Sequence, residues 1–298
     1  DDGVTVIALD DDAVIDDWIE LGSSSGRDVS LTEDGQYALV RRAGDDGVEV
    51  IPIDAPESAE TLDFSGPVTD LDLSRSGRAV AVIRDRSEIA TFRFPDVLDS
   101  GEIETATFTG ETVGSVALST DGLRAVLYTN AVASDRVTVV SLQSGPDFLS
   151  GRTLSTKSPV GSVTTSPDGA HAVVLGATSG AASTPAASFA VLSLNDARFP
   201  RIVGTKVPVR DVAMTNSAAL VTSTAGELHQ AHWVRLPGLS VSSVTLASKP
   251  ISAGALLENN QGFVAQSHRD GRITFFDFES AEARTLTGFE LSAQVVDR

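Results

Sequence analysis

No cysteine occurs in the 298 residues, which excludes disulfides, thiol catalysis and cysteine-ligated metal. Basic residues are scarce as well, with 22 lysines and arginines against 41 aspartates and glutamates and a formal net charge of -19. Only Lys157, Lys206 and Lys249 among them are lysines. Charge of that sign repels phosphate backbones, and the cations are scattered singly along the chain, so no nucleic-acid partner is expected. No apolar run approaches the roughly 18 residues of a membrane helix, so no direct span is expected. No window sustains apolar residues at helical spacing for long. What the chain does have is 41% hydrophobic residues and enough length to bury about 75% of its unfolded surface as one globular unit.

It also has repeats. The opening DDGVTVIALD returns as DDGVEVIPID from Asp45 to Asp54, identical at seven of ten positions. A third copy, RDGRITFFDF, runs from Arg269 to Phe278. A period in the forties follows, and two registers carry it. Strand-like runs end at Leu9, Ile53, Phe94, Leu142, Leu194, Leu236 and Phe278, spaced 44, 41, 48, 52, 42 and 42 residues apart. A second run reads RDVSLTEDG, TDLDLSRSG, GSVALSTDG, GSVTTSPDG, RDVAMTNSA and AGALLENNQG. Its aligned apolar positions are Val29, Leu71, Val116, Val163, Val212 and Ala255, with Val295 as a seventh in the closing segment.

One period contains four strands. From Val68 to Asp96, VTDLDL alternates, SRSG turns on Gly77, AVAVI is a β-branched run and IATFRF follows the charged RDRSE; a fourth strand falls near Ile103 to Phe108. Four-stranded units of this size, repeated radially, make a β-propeller. The turns SLTEDG, LSRSG, LSTDG and TSPDG at residues 30–35, 73–77, 118–122 and 165–169, with the strand order and the period, resemble the repeats of bacterial WD-repeat-like and YVTN lactonase-like propellers. The resemblance covers essentially the whole chain. The Trp-Asp and Gly-His pairs of true WD repeats are absent.

The expectation is therefore an all-β, seven-bladed β-propeller of four-stranded antiparallel blades, one domain over residues 1–298. The chain begins on a third strand, Val4 to Leu9, and a fourth, Asp17 to Leu21, and ends on a first strand, Ser292 to Val296. These would form a composite blade that closes the ring. It lacks a second strand, so either the blade has three strands or the sequence is a piece of a longer chain. A start in mid-blade without Met fits a removed targeting segment, and the expected setting is periplasmic, extracellular or at the cell surface.

Candidate site residues sit at the channel-mouth end of the blades. The position before each aligned apolar residue reads Asp28, Asp70, Ser115, Ser162, Asp211, Gly254 and Gln294. Asp28, Asp70 and Asp211 could ligate calcium or magnesium. The favoured reading has them accept backbone hydrogen bonds and pair with Arg27 and Arg210, with the cation reading kept as the alternative. Of the histidines, His171 falls in a second strand, His229 and His232 flank the start of a third, and His268 sits in a turn. A strand sends positions i and i+3 to opposite faces, which argues against zinc. The clustered Asp10, Asp11, Asp12, Asp16 and Asp17 lack calcium-loop spacing and read as a solvated turn. Trp18 and Trp233 read as plugs between blades.

The loop from Gly176 to Ser188 is lengthened with small and polar residues, and Thr129 to Arg136 is a milder extension in the preceding repeat. Gly176, Thr178, Ser179, Thr184 and Pro185, with Asn130 and Asp135, are the candidate partner-binding positions. No catalytic residue and no cofactor is assigned. The leading expectation is a non-catalytic protein-interaction module, a subunit or accessory of a bacterial envelope or extracellular assembly. The alternatives are a cation-dependent, lactonase-like or small-ligand-binding propeller using the aspartates, and a self-associating matrix protein that pairs through an exposed strand edge.

Overall fold

The computed structural model describes residues 3–10, 13–20, 26–108, 113–178, 185–256 and 260–288, the first two segments as backbone strands only. The elements are almost entirely strands, assembled into six four-stranded antiparallel sheets and one two-stranded sheet. In every four-stranded sheet the strands pair in chain order, the meander expected when short turns join consecutive strands. No helix among the described residues is long and apolar enough to cross a membrane.

Blade 1 comprises Arg27–Leu31, Tyr37–Arg42, Gly47–Pro52 and Glu60–Asp63. Blade 2 comprises Asp70–Leu73, Arg78–Ile83, Glu88–Arg93 and Glu104–Thr107. Blade 3 follows with Ser115–Leu118, Arg124–Tyr128, Arg136–Ser141 and Gly151–Ser155. Blade 4 is Val160–Thr165, His171–Ala177, Pro185–Ser193 and Arg201–Gly204. Blade 5 is Val209–Met214, Ala218–Ala225, Leu228–Arg235 and Ser240–Thr245. Blade 6 closes the series with Pro250–Leu256, Gln261–Gln266, Arg272–Asp277 and Ala283–Thr287.

Six four-stranded blades stand where the repeat arithmetic expects seven. The N-terminal strands Gly3–Asp10 and Ala13–Glu20 do pair with each other, but they form a sheet of two. The expected first strand at Ser292 to Val296 lies outside the described residues. The seventh copy of the register thus falls on a pair of strands, because a register locates one strand without counting the strands beside it.

The other positions of that register behave as true repeats. Ile53, Phe94, Leu142, Leu194, Leu236 and Phe278 each donate their backbone N–H to a carbonyl in or beside the turn between the first two strands, those of Gln36, Gly77, Leu123, Ala170, Ser217 and Asn260. The turn is built by its own side chains. The hydroxyls of Thr32, Ser119 and Ser166 donate to Asp34, Asp121 and Asp168 at 2.5 to 2.6 Å. Each hydroxyl also accepts the N–H of the residue that opens or precedes the second strand, Tyr37, Arg124 or His171. Each aspartate in turn accepts an N–H two residues on. The Ser/Thr-x-Asp-Gly motif is therefore consumed in closing a hairpin. At Gly77 the turn has φ +77, and a Cβ there would meet the Phe94 carbonyl oxygen, so only glycine fits.

Packing divides the chain into two compact units, Asp1–Val116 and Ala117–Arg298. In the first, the second and third strands of blades 1 and 2 bury Leu39, Val48, Val50, Ala81, Ile83 and Phe92 in one cluster. In the second, one cluster spans blades 4 and 5 through Val173, Phe189, Val191, Val221 and Val234. Another joins blades 5 and 6 through Leu220, Trp233, Val264 and Phe276. β-branched and aromatic residues alternate on pleated faces that neighbouring blades cover, and each fully buried side chain contributes about 1.5 to 3 kcal/mol. Trp233 is a plug of this kind, its ring 5.6 Å from Phe276. The side chains of Trp18 and of the Asp10 to Asp17 cluster lie outside the described residues.

Candidate functional site

The aspartates of the first strands are placed by strand geometry. Asp70 pairs opposite Val82, and Asp211 opposite Thr222. Asp70 accepts the N–H of Leu71 through one oxygen at 3.0 Å and that of Val116, on the next first strand, through the other at 2.9 Å. Asp211 repeats the arrangement, accepting from Val212 at 2.9 Å and from Ala253 at 2.7 Å. Each carboxylate thus straps one first strand to the next. Burial pushes the Asp70 carboxyl above its ordinary range, against the backbone N–H groups of Val116 and Leu71 that favour its charge. Asp28 differs: its carboxylate is exposed and meets Arg41 at 3.4 Å, while Arg41 also donates to the Val68 carbonyl at 3.3 Å. Among the described residues, no three His, Asp or Glu side chains stand together in a way that could hold a metal ion.

The strap corrects the alignment of the last repeat. Ser252 pairs opposite Ala265 and Ala253 opposite Val264, directly after an irregularity that also precedes Asp211 and Val212. The residue equivalent to Asp211 is therefore Ser252 rather than Gly254, and the aligned apolar residue is Ala253 rather than Ala255. The run AGALL offered several small and apolar residues of equal fit, and only strand pairing separates them.

The irregularity itself is the feature the sequence reading missed. In blades 4, 5 and 6 the ladder between the first two strands skips one residue near its start: Gly161, Arg210 and Ile251. A bulge leaves that residue out of the ladder and re-aims its side chain. Arg210 is exposed, and Ile251 is 60% exposed. The signal was present in PVGSV and PVRDV, where one residue stands between the Pro-Val pair and the strap position. Between blades 4 and 5 the bulges border a cavity of about 210 Å³, whose walls include Ser162, Leu175, Ala177, Pro185, Val209 and Arg210.

The partner-binding candidates fall around this end of the second unit. Gly176 lines the same cavity, and a Cβ there would meet the Ser188 carbonyl at 2.8 Å. Pro185 opens the third strand of blade 4, and Thr178 is exposed at the loop's base. Ser179 and Thr184 lie outside the described residues. Asn130 is half-buried, while Asp135 accepts from Ser155 at 2.7 Å and its carbonyl from Thr156.

Three of the histidines are built into blades. His171 is buried, and that burial lowers its pKa. His229 shares a 2.6 Å hydrogen bond with Thr224. His232 lies between Ser223 at 2.9 Å and Ser243 at 2.7 Å, and burial brings its pKa down to about 4. His268 sits in a turn, where it accepts the Asp270 N–H at 3.2 Å.

No family model and no curated protein matches the chain. Solved structures do. The chain is similar to the dihydro-heme d1 dehydrogenase NirN in complex with DHE, at 14% identity over 96% of this chain and 62% of that one, with a TM-score of 0.64. It is similar to a chain of the mitotic checkpoint complex, at 11% identity over 87% of this chain and 77% of that one, with a TM-score of 0.53. A third similarity is to the Cps50 (Swd1) β-propeller domain of Myceliophteria thermophila, at 10% identity over 89% and 87% of the two chains, with a TM-score of 0.51. Identities this low carry the fold alone. Together with the six four-stranded sheets they define the class: a β-propeller.

Proposed function

We propose that the chain is a non-catalytic protein-interaction module. The observation that carries this reading is the bulged mouth end of the second unit, where rigid strand starts hold Arg210 and Ile251 out to solvent beside a cavity with apolar and polar walls. A cation and an aliphatic side chain on a fixed scaffold form the kind of anchor pair that protein interfaces use. A propeller fold within the mitotic checkpoint complex supports the same use, and the Ser/Thr-x-Asp-Gly turns are compatible with a bacterial WD-repeat-like or YVTN lactonase-like subtype. An envelope or extracellular setting belongs to the proposal, and cell fractionation tests it.

The decisive experiment places a photo-crosslinking amino acid at position 251 in the protein's own cells, with a control at Glu279, which lies between the third and fourth strands of blade 6. A discrete adduct of one additional protein at 251, absent at 279 and reduced by Arg210→Glu, is the expected result. Equal labelling at both positions, or none, overturns the proposal.

A further inference from the structure

The three lysines of the chain occupy related places in the blades. Lys157 lies between Gly151–Ser155 and Val160–Thr165, Lys206 between Arg201–Gly204 and Val209–Met214, and Lys249 between Ser240–Thr245 and Pro250–Leu256. Each therefore occupies a connection from a fourth strand to the next first strand, in three consecutive connections of the second unit, and all three are exposed. The corresponding connections of the first unit, residues 64–69 and 108–114, contain no lysine or arginine.

The backbone under these lysines is pinned. Thr156 donates its backbone N–H to Asp135, just before the third strand, at 2.7 Å, and Thr205 to Ala187 within the third strand at 2.8 Å. Their hydroxyls close the loop onto the carbonyls of Ser158 and Val207 at 2.8 and 2.7 Å. Lys157 and Lys206 stand in the two closed loops, immediately after those threonines. Lys249 stands two positions further on, and its carbonyl accepts the Ser267 N–H at 2.8 Å, as those of Pro159 and Pro208 accept from Ala177 and Thr224. The ammonium groups are thus carried on ordered loops beside the bulge residues Arg210 and Ile251. Carboxylates at this end are mostly engaged: Asp211 by two backbone amides, Asp135 by Ser155, and Asp270 by Arg269 and His268. Glu227 stands exposed in the hairpin of blade 5.

We propose that Lys157, Lys206, Lys249 and Arg210 form a docking edge for an acidic segment of a partner polypeptide. The proposal rests on the interaction-module reading and adds the partner's chemistry. Complementary charge at short range attracts carboxylates, and the guanidinium of Arg210 suits one of them in bidentate geometry. The apolar walls beside it, Leu175, Pro185 and Val209, suit a neighbouring aliphatic residue. A phosphate backbone offers no such aliphatic residue.

The test uses the whole protein and a fluorescent twelve-residue peptide alternating Glu-Glu with Leu, alongside a single-stranded oligonucleotide and phosphatidylglycerol vesicles. The peptide is expected to bind, to weaken about tenfold in the Lys157→Gln, Lys206→Gln, Lys249→Gln triple variant, and to keep its affinity in the corresponding Lys→Arg triple. Raising salt from about 50 to about 300 mM is expected to mimic the Gln triple. Unchanged affinity in the Gln triple, or preference for the oligonucleotide or the vesicles, overturns the acidic-segment proposal. Repeating the position-251 crosslink in the Gln triple separates the two readings. An adduct that survives overturns the lysine edge and leaves the module standing, an adduct lost only in the triple supports both, and no adduct in either protein overturns both.

Discussion

The two compact units share one blade plan and differ in what they place at the end where the second-to-third and fourth-to-first connections lie. In the first unit, that end of blade 1 opens a cavity of about 300 Å³ bordered by Asp45, Asp46, Glu49 and Asp63, with Arg42 on its wall. In the second, the connections from fourth to first strands at the same end carry every lysine of the chain. Histidine is divided in the same way, since His171, His229, His232 and His268 all lie beyond Val116. The blade plan is maintained by apolar alternation and hydroxyl-capped turns, neither of which depends on the loop charges. Charge is therefore free to differ between units without disturbing the fold, and that is where partner chemistry is to be sought.

The largest effect that would sharpen this comparison is in the core. Phe92 is fully buried in the first unit and packs 6.0 Å from Phe64. Phe92→Ala is expected to cost about 3 to 5 kcal/mol, with hydrogen-exchange protection lost first among residues 38–97. Protection lost only beyond Val116 would break the assignment of that cluster to the first unit.

Acid should act on the second unit. His232 is held neutral in the folded state, with a pKa brought from 6.5 to about 4 by burial. Below pH 6.5 the unfolded chain takes up a proton that the folded chain refuses. The stability is thus complete above pH 6.5 and falls as the pH approaches 4, by about 3 kcal/mol in all. Denaturant titrations of the wild type and of His232→Gln over that interval check this, the variant being expected to show a shallower decline. An unchanged slope would remove His232 as the cause.

Among the described residues the aspartate strap occurs once in each unit and gives the next comparison. Asp70→Ala and Asp211→Ala each leave a backbone N–H on the adjacent first strand without its acceptor, at an expected cost of about 1 to 3 kcal/mol. Thermal melts of the two variants should shift alike, and a shift in only one would show that the straps are not equivalent. Asp28→Ala is expected to cost less than about 1 kcal/mol, because the carboxylate is exposed and its pairing with Arg41 is screened.

Much of the blade was legible in the sequence. Residues 68–96 alternate and turn in the order the structure shows, since a period of two and a Ser/Thr-x-Asp-Gly turn are local signals. The structural reading of Asp70 and Asp211 was also available, although their acceptor roles toward Val116 and Ala253 join residues more than forty positions apart. Elsewhere local signals ran out. The degenerate AGALL could not be registered without its partner strand, and the repeated register at Val4 to Leu9 did not say how many strands pair beside it. Gly161, Arg210 and Ile251 share no chemistry, and the flanking Pro-Val pair that marks the first two is replaced by Lys249-Pro250 before the third. The lysines were noticed as scarce but not as a row.

By itself the sequence determined that the chain is built from repeated four-stranded antiparallel units, because side-chain alternation and turn chemistry act within a few residues. It also determined the charge and the absence of thiols. Tertiary structure alone decided how many units have four strands, which carboxylates strap neighbouring strands, which residues bulge out of the ladder, and that three lysines far apart in the chain belong to equivalent loops. Those properties arise from pairing between distant segments, and no local window contains both partners.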